Sequence, residues 1–382
     1  MLDSLYTEAI RKRGQINKNL EEISKVNSID VDRVWFEESI NPSGNKVNIA
    51  AGDGSYNKKK YLSFNFYAVS AVSFIYQNKL EKIESIELDT LSHQSFLEDR
   101  LRNIMSVFEL KNAIKTINEY DVDYYLDDGS LLGDLIRPFP VENKLSNENK
   151  EKIISKFREK LENEIQNNSL GLSSSKFKEE FPELFVVETN EIEDNKSNKT
   201  LDDFSDNNVD GDNQIDEDSL ILFLEHIEKL LALSYLLKNE RKIVAISKTS
   251  SSNDLLHANV PDMAILDKFS KKAGFSKPYY KYMSTEMKRE FPVENEFFRN
   301  LVFTVFFARL DDFKNIIKIE LPYEADEDEI RKILSDLKRD SVEGYPYLLK
   351  KAHNEVVIKN KDIDSLSKII GFYEKSGREM LN

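Results

Sequence analysis

An apolar run that delivers a carboxylate followed by Gly-Ser occurs twice in this chain, and that repeated phrase constrains its fold more than any other feature. The first copy reads Val47-Asn48-Ile49-Ala50-Ala51-Gly52-Asp53-Gly54-Ser55, and the second Val122-Asp123-Tyr124-Tyr125-Leu126-Asp127-Asp128-Gly129-Ser130. The next stretch, Tyr61 to Val69, alternates and is rich in aromatics, which marks a strand. The first copy therefore predicts a hairpin with Asp53 near the turn end of its first strand. Taken alone, Asp-Gly is ordinary turn chemistry. Two copies ending neighbouring strands imply more, because paired strands lie about 4.8 Å apart. They would hold two carboxylates at a spacing suited to a pair of divalent cations about 4 Å apart.

The surrounding pattern gives the order of elements. Strand signals cover 47–53, 61–76 and 83–89, a long helix follows from Gln94 to Asn118, and a strand then runs to Asp128. The order β-β-β-α-β, with an acid ending the first and last strands, is how ribonuclease H-like nucleases assemble a metal site. The expected fold is thus α/β, a ribonuclease H-like mixed sheet flanked by helices. In that arrangement the intervening helix supplies a third carboxylate, and Glu109 is the candidate. A solvated helix glutamate is the competing reading, since exposed glutamates are common.

Around this core, residues 1–45 predict an N-terminal helical region, with an amphipathic helix over 1–28 broken near Gly14 and Trp35 as core or interface filler. Residues 46–141 form the first part of the core, 142–240 a helical insertion, and 241–382 the second part with C-terminal helices. A helix from Leu220 to Lys238 leads into the strand Lys242 to Ser250; strands over Leu301–Ala308 and Asn315–Leu321 precede a helix over Asp326–Leu337.

Charge is uneven. The formal net charge is −15, which argues against nucleic acid until its location is considered. From Glu179 to Asp218 there are 15 acidic and 2 basic residues, which leaves 52 basic against 54 acidic elsewhere. The remaining surface can therefore carry a basic groove. The stretch 170–218 is Ser/Asn/Asp-rich without periodicity, the composition of a disordered insertion. Within it, Asp206 to Glu217 matches the calcium-loop pattern, but Asn213 stands where an apolar residue is usual, and such a match arises readily in biased sequence.

No cysteine is present, which excludes disulfides, thiolate metal sites and a cysteine nucleophile. The opening residues carry no basic-then-apolar signal pattern, and the most apolar helix contains Glu225, His226, Glu228 and Lys229. The expectation is a cytoplasmic chain with no membrane span.

The last informative stretch is Val342-Glu343-Gly344-Tyr345-Pro346-Tyr347-Leu348, continuing to Ala352-His353. Gly344 permits a sharp entry and Pro346 suits a first helical turn. A lone helical histidine is more often a satisfied core or surface group, though it can also be a ligand or proton donor.

Taken together, Asp53-Gly54-Ser55, Leu126 to Leu131, Ile246-Ser247-Lys248-Thr249 and Gly344 to Leu348 with Ala352-His353 resemble the NurA nuclease family of archaea and some bacteria. The pieces fall in family order across about 47 to 358. The resemblance implies a homodimeric nuclease that cuts DNA with Mn2+ or Mg2+, as a 5'-to-3' exonuclease with single-strand endonuclease activity. It further implies work with the hexameric translocase HerA in end resection. It places Asp53, Asp128 and His353 at the metal, with Glu109 less firmly aligned, and makes Tyr345 an active-site residue. Lys248 becomes a substrate contact, and Ser55 and Ser130, which follow the two acids, are further candidates. The acidic insertion departs from the family pattern. Hard carboxylates suit magnesium and manganese, and an imidazole ligand favours manganese. The alternative is a non-catalytic nucleic-acid-binding adaptor or translocase platform on the same fold, since fold does not fix function.

Overall fold

The computed structural model describes residues 2–23, 31–141, 147–167, 170–180, 182 and 217–372. The match to a calcium loop falls almost wholly in 183–216 and lies outside the described residues; Glu217 alone is seen, pairing with Lys178 at 2.6 Å.

Nine strands form one continuous mixed sheet in the order β1-β7-β9-β10-β6-β5-β2-β3-β4, with a tenth, β8, paired to β9. They are β1 (Trp35–Glu37), β2 (Ile49–Lys60), β3 (Asn65–Tyr76), β4 (Leu80–Leu91), β5 (Tyr124–Asp128), β6 (Ile243–Ser247), β7 (Gly274–Ser276), β8 (Tyr279–Tyr282), β9 (Val302–Arg309) and β10 (Ile317–Leu321). The central part, β4-β3-β2-β5-β6, has the ribonuclease H-like arrangement: an antiparallel meander whose first strand pairs in parallel with β5, and β5 in parallel with β6. Parallel pairs need crossovers and have both faces covered. Accordingly all five residues of β6 are buried, whereas β4, at the sheet's edge, alternates between half-buried and exposed.

Side-chain alternation splits the core in two. Ala50, Tyr125, Ile243 and Ala245 pack beneath helices α2 (Leu97–Glu119) and α5 (Glu217–Leu237), together with α3 (Leu131–Ile136) and α4 (Asn147–Asn167). Ile49, Ala51, Tyr124, Leu126, Val244 and Ile246 pack on the other face against α7 (Glu327–Arg339) and α8 (Tyr347–Val356). Helices α6 (Asp262–Phe269) and α9 (Asn360–Ile370) cover the flanks. Trp35 is buried beside Leu266 and Phe307, in the filler role its composition suggested.

Three expectations are corrected. Helix α1 (Asp3–Ile23) runs through Gly14 without a break. Asp53 is not near a turn: β2 continues to Lys60, because Gly54–Lys60 keeps pairing with Asn65–Ala71, and the chain reverses at Tyr61–Phe64. The beginning of the expected disordered stretch is fixed in place. Phe177 is buried and stacked on Phe157, while the Ser173 and Ser174 amides donate to Glu228, each at 2.8 Å.

Candidate metal centre

The register that pairs Gly52 with Asp127 sets Asp53, in mid-strand, beside Asp128, the last residue of β5, where the parallel pairing of β2 and β5 ends. Both point to the face covered by α8. A two-residue hairpin of β11 (Ser341–Val342) and β12 (Tyr345–Pro346) leads into that helix. Its turn residues, Glu343 and Gly344, have φ of 56° and 78°, the positive pair that a type I′ hairpin requires. Beyond α8 the chain is fastened across the strands. Ser70 donates to the Val356 carbonyl at 3.0 Å, Ser55 accepts from the Ile358 amide at 3.2 Å, and Asn57 donates to the Ile358 carbonyl at 3.0 Å.

The result is a cluster in which one ligand atom each from Asp53, Asp128 and His353 lies within 4.8 Å of the others. His353 Nδ1 is 2.8 Å from Asp53 Oδ2 and 3.9 Å from Asp128 Oδ2. Lys248, at the end of β6, reaches Asp128 Oδ2 at 2.5 Å and lies 5.5 Å from the centre of the Tyr345 ring. The Tyr345 hydroxyl is buried with no hydrogen-bond partner. Burial and the charges of Asp128 and Asp53 push its ionisation upward, so it stays a donor. Burial likewise pushes Asp53 up to about 6, Asp128 adds to this, and the hydrogen bond from His353 opposes it.

Glu109 stands across the strand from this trio, with its carboxylate against Gly54: a Cβ built there would meet Oε1 at 2.5 Å. Burial, Asp127 and Asp53 raise its pKa well above the usual carboxylate range. Asp127, which sequence reasoning passed over, belongs with Glu109. It is raised to about 7 by burial and then by Asp128 and Asp53. The alternation of a strand was the available signal, since adjacent acids must face opposite ways.

The two serines are engaged within the fold. Ser55 holds the Ile358 amide, while Ser130 caps α3 by accepting from Gly133 at 2.9 Å and donates to Glu320 at 2.6 Å. Two carboxylates, an imidazole and an unpaired hydroxyl suit a hard or borderline divalent cation carrying an oxyanion. The buried charge that this cluster concentrates is what such a cation offsets.

Fold and cluster together define a ribonuclease H-like protein with a candidate divalent-cation centre. The NurA domain model matches residues 47–358, and the chain belongs to that family. A probable DNA double-strand break repair nuclease NurA of Methanocaldococcus jannaschii is 31% identical over 394 aligned residues, covering 97% of this chain and 90% of the relative. The DNA double-strand break repair nuclease NurA of Saccharolobus solfataricus is 24% identical, with 97% and 96% covered. Among solved structures, the NurA nuclease from Sulfolobus solfataricus superposes with a TM-score of 0.71 at 23% identity over 97% of both chains. A NurA bound to dAMP and manganese also superposes at 0.71, with 17% identity and full coverage of both chains.

Proposed function

We propose that this chain is a manganese- or magnesium-dependent deoxyribonuclease that processes DNA ends in break repair. The observation that carries this reading is the convergence of Asp53, Asp128 and His353 within 4.8 Å, in a chain of the NurA family. Two relatives that cover nearly the whole chain are named as DNA double-strand break repair nucleases, and a structural neighbour was solved with dAMP and manganese. A divalent cation held there, or a pair of them, would supply an activated water and balance charge on the leaving oxygen. The chain's own groups do the rest: Asp53, Asp128 and His353 would hold a cation, with Glu109 a further carboxylate across β2. Tyr345 would donate its unpaired hydroxyl to a phosphate oxygen, and Lys248, which now pairs with Asp128 at 2.5 Å, would neutralise the phosphate backbone.

The family resemblance supports the finer reading: a cytoplasmic homodimer, cutting 5'-to-3' with single-strand endonuclease activity, delivered to ends by a HerA-type hexameric ATPase. Among the described residues no helix is long and apolar enough to cross a membrane. The test is cleavage of labelled DNA by the purified chain with manganese and with chelator, beside Asp53→Asn. Metal-dependent cleavage by the native chain and none by the variant is the expected result. Intact DNA in both, with DNA still bound, would favour the adaptor reading.

A further inference from the structure

On the Glu109 side of the sheet, a cavity of 320 Å³ opens between α3, α5 and the segment around Arg289. Its lining is unusual for a chain of net charge −15. Arg137, Lys150, Lys229 and Arg289 face it against only Asp134 and Glu290. Lys229 and Asp134 pair at 2.5 Å, so the surplus is carried by the other three cations. Among the described residues, none of Arg137, Lys150 and Arg289 has an ion-pair partner. One wall is flat: the rings of Phe139 and His226 stack at 4.0 Å with an interplanar angle of 11°. Burial, then Lys229, pushes His226 down to about 3, so its imidazole is neutral at physiological pH. The Asp134–Lys229 wall is within electrostatic reach of the Glu109 carboxylate, so the cavity lies on the Glu109 face of the sheet, opposite the face that carries His353.

Unpaired cations at an apolar, aromatic-walled concavity of this size make a site for a small anion that carries a flat ring. We propose that the cavity is a second nucleotide subsite, with a base against the Phe139–His226 wall and its phosphate on Arg137, Lys150 and Arg289. The subsite rests on the nuclease reading of the candidate metal centre, since that reading makes DNA and its nucleotide products the available ligands. The same chemistry is offered by a nucleotide within a DNA strand and by a released mononucleotide.

The experiment is titration calorimetry of the full chain in chelating buffer, with dAMP and with a single-stranded deoxyadenylate hexamer. Chelation removes phosphate binding through metal. The native chain is expected to bind, and Arg137→Ala/Arg289→Ala to weaken binding at least tenfold without a change in melting temperature, because both side chains are exposed and unpaired. Phe139→Leu, which keeps an apolar side chain but loses the stack, is expected to weaken it as well. A hexamer that binds more tightly than dAMP assigns the subsite to the strand, and equal binding assigns it to the terminal or released nucleotide. No binding by the native chain, or binding unchanged in both variants, overturns the proposal. Manganese-dependent cleavage is measured in parallel. Its absence, with variant-sensitive dAMP binding intact, would remove the nuclease reading and leave the subsite; cleavage without such binding would do the reverse.

Discussion

His353 and Asp53 are 300 residues apart in sequence, yet the imidazole Nδ1 lies 2.8 Å from the carboxylate Oδ2. The contact depends on α8 lying across β2, held there by Ser55, Asn57 and Ser70. His353→Ala should lower metal-dependent cleavage by about a hundredfold or more. DNA binding should change little, since one side chain contributes little to the neutralisation of a phosphate backbone contacted at many points. Cleavage assays beside gel-shift titrations test this, and an equal loss in both would contradict it.

Gly54 leaves room for Glu109. A Cβ there would meet Glu109 Oε1 at 2.5 Å and Met105 Cγ at 2.7 Å. Gly54→Ala should therefore displace the carboxylate and lower cleavage by about 10- to 100-fold, the usual cost of small misplacements. Restored activity at high manganese would show that affinity was lost; native-like activity at all concentrations would show that Glu109 is dispensable.

Lys111 is fully buried between Glu164 at 2.5 Å and Glu228 at 2.8 Å, and Glu228 in turn anchors the Ser173 and Ser174 amides. Lys111→Met strands both carboxylates and should cost about 3–5 kcal/mol in denaturant unfolding. Lys82→Ala, which breaks an exposed pair with Glu84 at 2.7 Å, should cost less than about 1 kcal/mol. Similar losses for the two would contradict the account.

Asp53 and Asp127 are raised from 3.8 to about 6 and about 7. Each binds its proton more tightly folded than unfolded, so each favours the folded, metal-free chain fully below 3.8, and that contribution is lost as pH rises through 6 and 7. A cation needs the ionised forms, so manganese should bind more weakly as pH falls through the same window and should release protons on binding. Calorimetry in buffers of different ionisation enthalpy should find proton release near pH 6 and little at pH 8. Equal release at both would contradict the assignment.

The core of the fold could be read because its signals are local. Alternation marked β2, β3 and β5, and the repeated acid-Gly-Ser phrase placed Asp53 and Asp128 on neighbouring strands. What depended on distant contacts could not be read this way. Nothing local to His353 points to Asp53; only the family resemblance joined them. A serine after Gly gives no sign whether its hydroxyl meets a ligand or, as at Ser55 and Ser130, the protein itself. The extension of β2 past Asp53 was masked by turn-forming residues that pairing with β3 overrides. Lys111 and Glu228 are 117 residues apart and ordinary in composition, so their buried pair left no trace in the sequence.

The most direct test of the metal centre is anomalous scattering at the manganese edge from crystals of this protein soaked in manganese. The account predicts a peak within bonding distance of Asp53 and Asp128, with His353 among its neighbours. A strong peak elsewhere, with the cluster of Asp53, Asp128 and His353 empty, would contradict it.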